Sequence, residues 1–163
     1  DALPIFLMQL LRAKISWDNI VVMMQREVAD RLNAEIGTKA YGVLTLTIQY
    51  YAQAQLAIKV PASAFNPSPN VDSAVVMLTP IVPETVVDNP DKLFSVVKGS
   101  FAHRRKSLWN NMLQMFGKQE DVKQRIQDAL DSVNIASSIR AERLSLNQLT
   151  ALYEALKLQG LIK

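Results

Sequence analysis

The segment Phe65-Asn66-Pro67-Ser68-Pro69-Asn70-Val71-Asp72-Ser73 limits what this chain can become more than any other stretch of it. Pro67 and Pro69 each hold φ at about −65°, and they bias Asn66 and Ser68 toward extended backbone. No helix can pass through, so the Phe65 ring is carried on a stiff loop. Before the loop, Gln53 to Val60 alternates, with Ala54, Leu56, Ile58 and Val60 expected on one face and Gln53, Gln55 and Lys59 on the other. That is the pattern of a half-buried strand. After the loop, Val71 to Leu78 is almost wholly apolar and reads as a buried strand paired with the first. A rigid aromatic at a strand mouth can hold a flat ligand such as a base. The same residues also suit a proline-stiffened loop plugged into the core by Phe65.

The remaining chain divides around this hairpin. Phe6 to Lys14 reads as a short apolar helix, and Asn19 to Met24 as a strand buried on both faces of a parallel sheet. Arg26 to Ala34 has helical spacing with Val28, Ala29 and Leu32 inward, ending before Gly37. Tyr41 to Tyr51 is ambiguous, because its Thr, Ile and Tyr residues suit strands. Pro80, Pro83 and Pro90 punctuate a stretch without a strong period, expected as a linker over 80–90. Asn89-Pro90 then offers an N-cap and first turn for a helix whose apolar stripe is Leu93, Phe94, Val97 and Phe101. Further helices are expected over Lys106–Phe116 and Glu120–Leu130. A last one opens on a Ser145/Gln148 capping box and buries Leu149, Leu152 and Leu156.

Composition narrows the chemistry. With no cysteine, disulfides, thiol catalysis and cysteine metal sites are excluded, which fits a reducing cytoplasm. A single histidine makes a histidine metal centre implausible, so no metal is expected. No apolar run approaches the roughly 20 residues of a membrane span. Residues 1–80 carry six basic and six acidic side chains, which cancel. From Lys92 through Lys118 there are six basic residues and no acidic one, a one-signed stretch suited to a phosphate backbone. A solvated helix face would also be basic, but such faces usually mix signs.

Beyond these physical readings, several blocks resemble the rRNA adenine N6-dimethyltransferase family. They are Met24-Gln25-Arg26-Glu27-Val28-Ala29-Asp30-Arg31-Leu32, Lys39-Ala40-Tyr41-Gly42, Gln49-Tyr50-Tyr51, the Phe65–Ser73 loop itself, Phe101-Ala102-His103-Arg104-Arg105-Lys106-Ser107-Leu108, and Arg140-Ala141-Glu142-Arg143-Leu144-Ser145. Together they cover roughly Trp17 to the C-terminus. The Phe101–Lys106 block is similar to the bacterial small-subunit branch and unlike the resistance methylases. The family's Gly-rich cofactor turn and its Asn-Leu-Pro-Tyr catalytic tetrapeptide do not occur, and Gly37, Gly42, Gly99, Gly117 and Gly160 are scattered. Asp1 to Ile5 fits no family pattern. The resemblance is therefore to the C-terminal part of a methyltransferase.

The implied fold is α/β: residues 1–79 form the last strands, hairpin and target-base loop of a Rossmann-like methyltransferase sheet, 80–90 a linker, and 91–163 a small all-α RNA-binding domain. The family helix at Tyr41–Tyr51 resolves the ambiguity there. The implied target-base pocket is Phe65, Asn66, Pro67 and Pro69, with Phe65 packing on a flipped adenine. Asp72 reads as a loop cap accepting backbone N–H groups. The implied RNA-binding residues are Lys98, His103, Arg104, Arg105, Lys106 and Arg140, with Arg143 able to extend them and Glu142 able to pair with either arginine. Three successive basic residues cannot share one helix face, so a helix junction is expected there. His103 has no partner that would make it a general base. Gln25 and Glu27 sit at a strand's carboxyl end, where ligands bind in open sheets, though capping of the next helix suits them as well. Trp17, Trp109, Met23, Met24, Met112 and Met115 read as core or interface.

The resemblance implies a monomeric parent that uses S-adenosylmethionine to make N6,N6-dimethyladenosine in small-subunit (16S) rRNA on an assembling pre-30S particle. This chain would keep the substrate-handling part and would not bind the cofactor or retain catalysis. The alternative is a non-catalytic RNA-binding or ribosome-assembly module.

Overall fold

In the computed structural model, which describes residues 3–163, the apolar run after Asn19 becomes β1 (Ile20–Gln25) and passes directly into α2 (Arg26–Leu32). α1 (Leu3–Arg12) precedes them. α3 (Val43–Tyr51) runs straight into β2 (Ala52–Val60), and β3 (Ser73–Pro80) completes the sheet. The ambiguous Tyr41–Tyr51 segment is thus helical from Val43 onward. Its buried Thr residues are satisfied there: the Thr45 hydroxyl donates to the Arg31 carbonyl at 2.6 Å and Thr47 to Val43 at 2.8 Å. The sheet order is β1-β3-β2 with both pairings antiparallel. Ala74, Val76 and Leu78 on central β3 are buried against Leu7, Leu11, Val28, Leu32, Leu44 and Ile48 of the helices.

Two strand expectations change. β1 was expected inside a parallel sheet with both faces buried. It instead pairs antiparallel with β3, and only Met24 is buried, while Val21 is 63% and Met23 52% exposed. Among the described residues the helices cover one face of the sheet, and an apolar run without a period of two leaves its other set of side chains bare. In β2, Leu56 and Ile58 were expected on one face. A bulge makes Leu56 face Val76 but Ile58 face Val75, so Ile58 turns outward and is 58% exposed. β3 also starts at Ser73 rather than Val71, because Asp72 is occupied in the loop that precedes it.

The chain forms two compact units, divided between Pro83 and Glu84. Val21, Met23 and Ile58 bear on the first unit taken alone. Produced up to Pro83, it is expected to bind a hydrophobic dye and to melt broadly. A sharp cooperative melt without dye binding contradicts this.

The second unit contains α4 (Pro90–Ser100), α5 (Leu108–Phe116), α6 (Glu120–Ser132) and α7 (Leu146–Leu158). Three helix starts are capped as their sequences specify. Asn89 accepts from the Lys92 N–H at 3.2 Å, Ser107 from Asn110 at 3.3 Å, and Ser145 and Gln148 close a reciprocal box at 3.1 and 2.9 Å. Leu93, Val97, Leu108, Met112, Leu130 and Leu152 are wholly buried. Gly99 lets α5 come close: a Cβ there would lie 1.9 Å from the Met115 sulfur.

Residues 84–88, within the stretch expected as a linker, are attached to α7. Val87 is buried, Asn147 donates to the Glu84 carboxylate at 2.6 Å, and Lys157 meets Asp88 at 2.9 Å. The Tyr153 hydroxyl also donates to Asp88, at 3.3 Å. The Lys157 hydrogen bond holds the Asp88 carboxyl below its ordinary value, and the same bond raises Lys157. A carboxylate depressed in the folded state contributes stability above its unfolded value of about 3.9 and loses it as pH falls through the folded value. Asp88→Asn should therefore flatten the fall in urea midpoint between about pH 5 and pH 2. An unchanged acid slope counts against this anchor.

Candidate nucleic-acid interface

Each unit carries one of the two groups of residues singled out from sequence. In the first, Pro61 leads from β2 into a single 3₁₀ turn, Ala62–Ala64, and the proline loop follows. Asp72 accepts the Ala62 N–H at 2.9 Å, and Ser68 donates its hydroxyl to the Ala62 carbonyl at 2.9 Å. The Arg26 N–H reaches the Asp72 carbonyl at 2.9 Å, tying the loop's far end to the start of α2. Asp72 is thus the loop cap expected of it, and Ser68 is a second tie that the sequence did not single out. Asn66, Pro67 and Pro69 are exposed, and the Asn66–Pro67 peptide is cis. Phe65 is half-buried and lies outside the core cluster, so it is not simply a plug. The chain here forms a fixed-base, exposed-tip loop with an aromatic ring at its root.

In the second unit the one-signed stretch becomes a tight turn, Phe101–Lys106, between α4 and α5. This is the helix junction expected from three successive cations. Ala102, His103, Arg104, Arg105 and Lys106 line one open basin of about 500 Å³, and all five are exposed. Lys98 is exposed on the last turn of α4. Arg140 caps the short Ala141–Arg143 turn. Glu142 of that turn forms a 3.0 Å ion pair with Arg104, whose guanidinium also lies 5.9 Å from the Phe101 ring centre. Arg104 is therefore partly neutralised and held in place, whereas Arg105 and Lys106 have no acidic side-chain partner among the described residues.

The turn keeps its shape through Asn111, which sequence reading missed. Asn111 is 1% exposed. Its carbonyl oxygen accepts the His103 N–H at 3.1 Å, and its amide donates to the carbonyls of His103 at 3.2 Å and Ser107 at 3.3 Å. A buried asparagine inside an apolar helix face is the one signal that could have found it, since such a group persists only when paired. The N–H groups of Leu108 and Trp109 also bond the carbonyls of Ile139 and Ser137, at 2.6 and 3.1 Å. Those bonds fix the start of α5.

The residues present do not suit S-adenosylmethionine. The strand-to-helix passage at Gln25–Arg26 contains no glycine, and Gln25 makes no side-chain cap. Two clefts of the first unit, one against α2 and the sheet and one between Arg31 and Lys39, measure about 200 and 250 Å³. Small-molecule sites usually need about 300–1,000 Å³. Among the described residues no cluster of acidic or histidine side chains could hold a metal ion, and no helix is long and apolar enough to cross a membrane.

Comparison with known proteins agrees with this architecture. Solved structures share the fold: a dimethyladenosine transferase from Plasmodium falciparum superposes with TM-score 0.84 at 22% identity, covering 98% of this chain and 64% of that one. The 23S rRNA methyltransferase ErmE superposes with TM-score 0.63 at 20% identity, covering 96% and 61%. The chain thus has the α/β fold of the matching part of these structures, a small sheet with helices after it. In sequence, ribosomal RNA small subunit methyltransferase A of Leuconostoc mesenteroides is 71% identical over 155 residues, covering 95% of this chain and 52% of that protein. The protein of the same description from Lactiplantibacillus plantarum is 53% identical over 151 residues, covering 92% and 51%. The chain spans about half the length of these relatives. The family described as ribosomal RNA adenine dimethylase matches over residues 4–157, and the chain belongs to it.

Proposed function

We propose that this chain is the rRNA-engaging part of a methyltransferase that converts adenosine to N6,N6-dimethyladenosine in small-subunit rRNA. The carrying observation is the Phe101–Lys106 turn, whose cations project from a backbone clamped by buried Asn111. A preformed cationic turn engages phosphate without ordering a loop at the moment of binding. Lys98 and Arg140 extend the cationic surface, and His103 adds a donor.

The proline loop takes the chemical end of the same substrate. An adenine amine is a poor nucleophile because its lone pair is delocalised into the ring, so the base must leave its stack and be held. Phe65 offers a face for stacking at the root of the loop, worth on the order of 1–3 kcal/mol per base. Pro67 and Pro69 stiffen the exposed tip, with Asn66 beside them supplying an amide for the base edge. S-adenosylmethionine and the amine-polarising tetrapeptide belong, in this reading, to the portion of the relatives that this chain does not span. The parent acts in the cytoplasm as a monomer on the assembling small subunit.

Fluorescence titration of the 163-residue chain with a 3′ small-subunit rRNA fragment tests the reading. Expected is micromolar or tighter binding at about 100 mM salt, weakening steeply as salt rises. Equal binding to an unrelated acidic polymer, or none to RNA, overturns it.

A further inference from the structure

The outward face of α5 holds side chains that the turn alone does not account for. Lys106, Asn110, Gln114 and Lys118 recur every four residues, so they fall on one ridge along the helix and its two flanks. Lys106, Asn110, Gln114, Lys118 and Lys123 line a second open basin of about 520 Å³, floored in part by Gly117. Gly117 sits at φ +112°, and a Cβ there would come within 2.4 Å of the Gln119 side-chain oxygen. Leu113 lines the same basin. Lys106 belongs to this basin and to the one at Ala102–Lys106, so the two adjoin.

α6 supplies the comparison. Its polar side chains answer one another: Arg125 bonds Asp121 at 2.8 Å, Gln124 bonds Asp128 at 2.9 Å and Gln127 bonds Asp131 at 2.8 Å. That is how a solvent-facing helix of this chain satisfies itself. On α5 and its two flanks the side chains of Lys106, Asn110, Gln114 and Lys118 make no hydrogen bond or ion pair among the described residues. Only Lys123, on α6, has a local partner, Glu120 at 3.0 Å, and that carboxylate is 90% exposed. No acidic residue lies between Asp91 and Glu120. A row of unspent donors with cations at both ends lacks an external partner rich in acceptors and negative charge.

We propose that the α5 ridge is a second RNA-binding site, reading the minor groove of an A-form stem. It rests on the RNA-engaging function proposed above. The wide, shallow minor groove of A-form RNA displays 2′-hydroxyls, each a donor and an acceptor. Asn110 and Gln114, about 6 Å apart along the helix axis, are amides that pair with such groups in both senses. Lys106 at one end and Lys118 with Lys123 at the other meet the flanking phosphates as point charges. The ligand class is thus double-helical RNA, recognised by shape and 2′-OH rather than by sequence.

The test uses the 163-residue chain, a fluorescent RNA hairpin with a stem of about 16 base pairs, and a DNA hairpin of the same sequence. Asn110→Ala with Gln114→Ala is expected to remove at least five-fold of the preference for RNA over DNA while leaving the salt slope unchanged. Lys118→Gln with Lys123→Gln is expected to reduce the salt slope by about 1 to 2. All four positions lie at the surface rim, and circular dichroism melts confirm that the variants fold. If both pairs retain wild-type RNA affinity, preference and slope while Arg105→Glu weakens binding, the ridge is not a site but the RNA-engaging reading stands. If the unmodified chain binds no RNA, that reading falls and the ridge with it.

Discussion

Reversing Arg105 and Lys106 together, as Arg105→Glu with Lys106→Glu, should lower affinity for the small-subunit rRNA fragment by about 100-fold near 100 mM salt. The log–log salt slope should fall by about 1.4 to 1.8, because each lost phosphate contact removes roughly 0.7–0.9 from it. The pair is chosen over Arg104 for a structural reason. Arg104 is held by Glu142 at 3.0 Å, so reversing it would place two carboxylates together and disturb the Ala141–Arg143 turn as well as any RNA contact. Arg105 and Lys106 are exposed and have no such partner among the described residues. Their reversal therefore reads binding and not folding, which an unchanged urea midpoint would document. Wild-type affinity and slope in this variant would remove the turn from the interface.

The largest stability effect is expected at Asn111. Asn111→Ala removes three hydrogen bonds at once and strands the His103 N–H together with two carbonyls in partly buried surroundings. At about 0.5–1.5 kcal/mol per bond, with the further cost of unpaired groups, the loss should be about 2–4 kcal/mol. Asn111→Asp is a sharper probe. It keeps the acceptor for His103 but cannot donate to the two carbonyls, and it buries a charge at a position 1% exposed. Both variants should shift the urea midpoint of the second unit downward and weaken RNA binding through a loosened turn. A change below about 0.5 kcal/mol in both would show that the turn is held by other means, such as the Leu108–Ile139 and Trp109–Ser137 backbone bonds.

What the sequence disclosed depended on the range of the interaction. Local signals were read correctly: the Ser145/Gln148 box, the Asn89-Pro90 start and the Asp72 loop cap are written in residues a few positions apart, or across one loop. Tyr41–Tyr51 was beyond local reading, since Thr45 becomes acceptable in a buried helix only when Arg31, fourteen residues earlier, supplies a carbonyl. The direction of β1 was hidden because an apolar run records burial and not pairing sense. Asn111 was hidden for the opposite reason, as it stands beside exposed Asn110 and no local signal says which of the two is buried. Arg104 was visible as a cation, yet its tie to Glu142 spans 38 residues.

The bulge in β2 bears on how this strand tolerates length change. Ala57 is the residue left over between the Leu56–Val76 and Ile58–Val75 pairs. Removing it would join Leu56 to Ile58 in ordinary alternation, and every side chain beyond would keep its facing. Removing Gln55 instead would turn Leu56 to the opposite face, away from Val76. An alignment gap placed at Ala57 is thus silent in three dimensions, while the same gap two residues earlier swaps inside for outside.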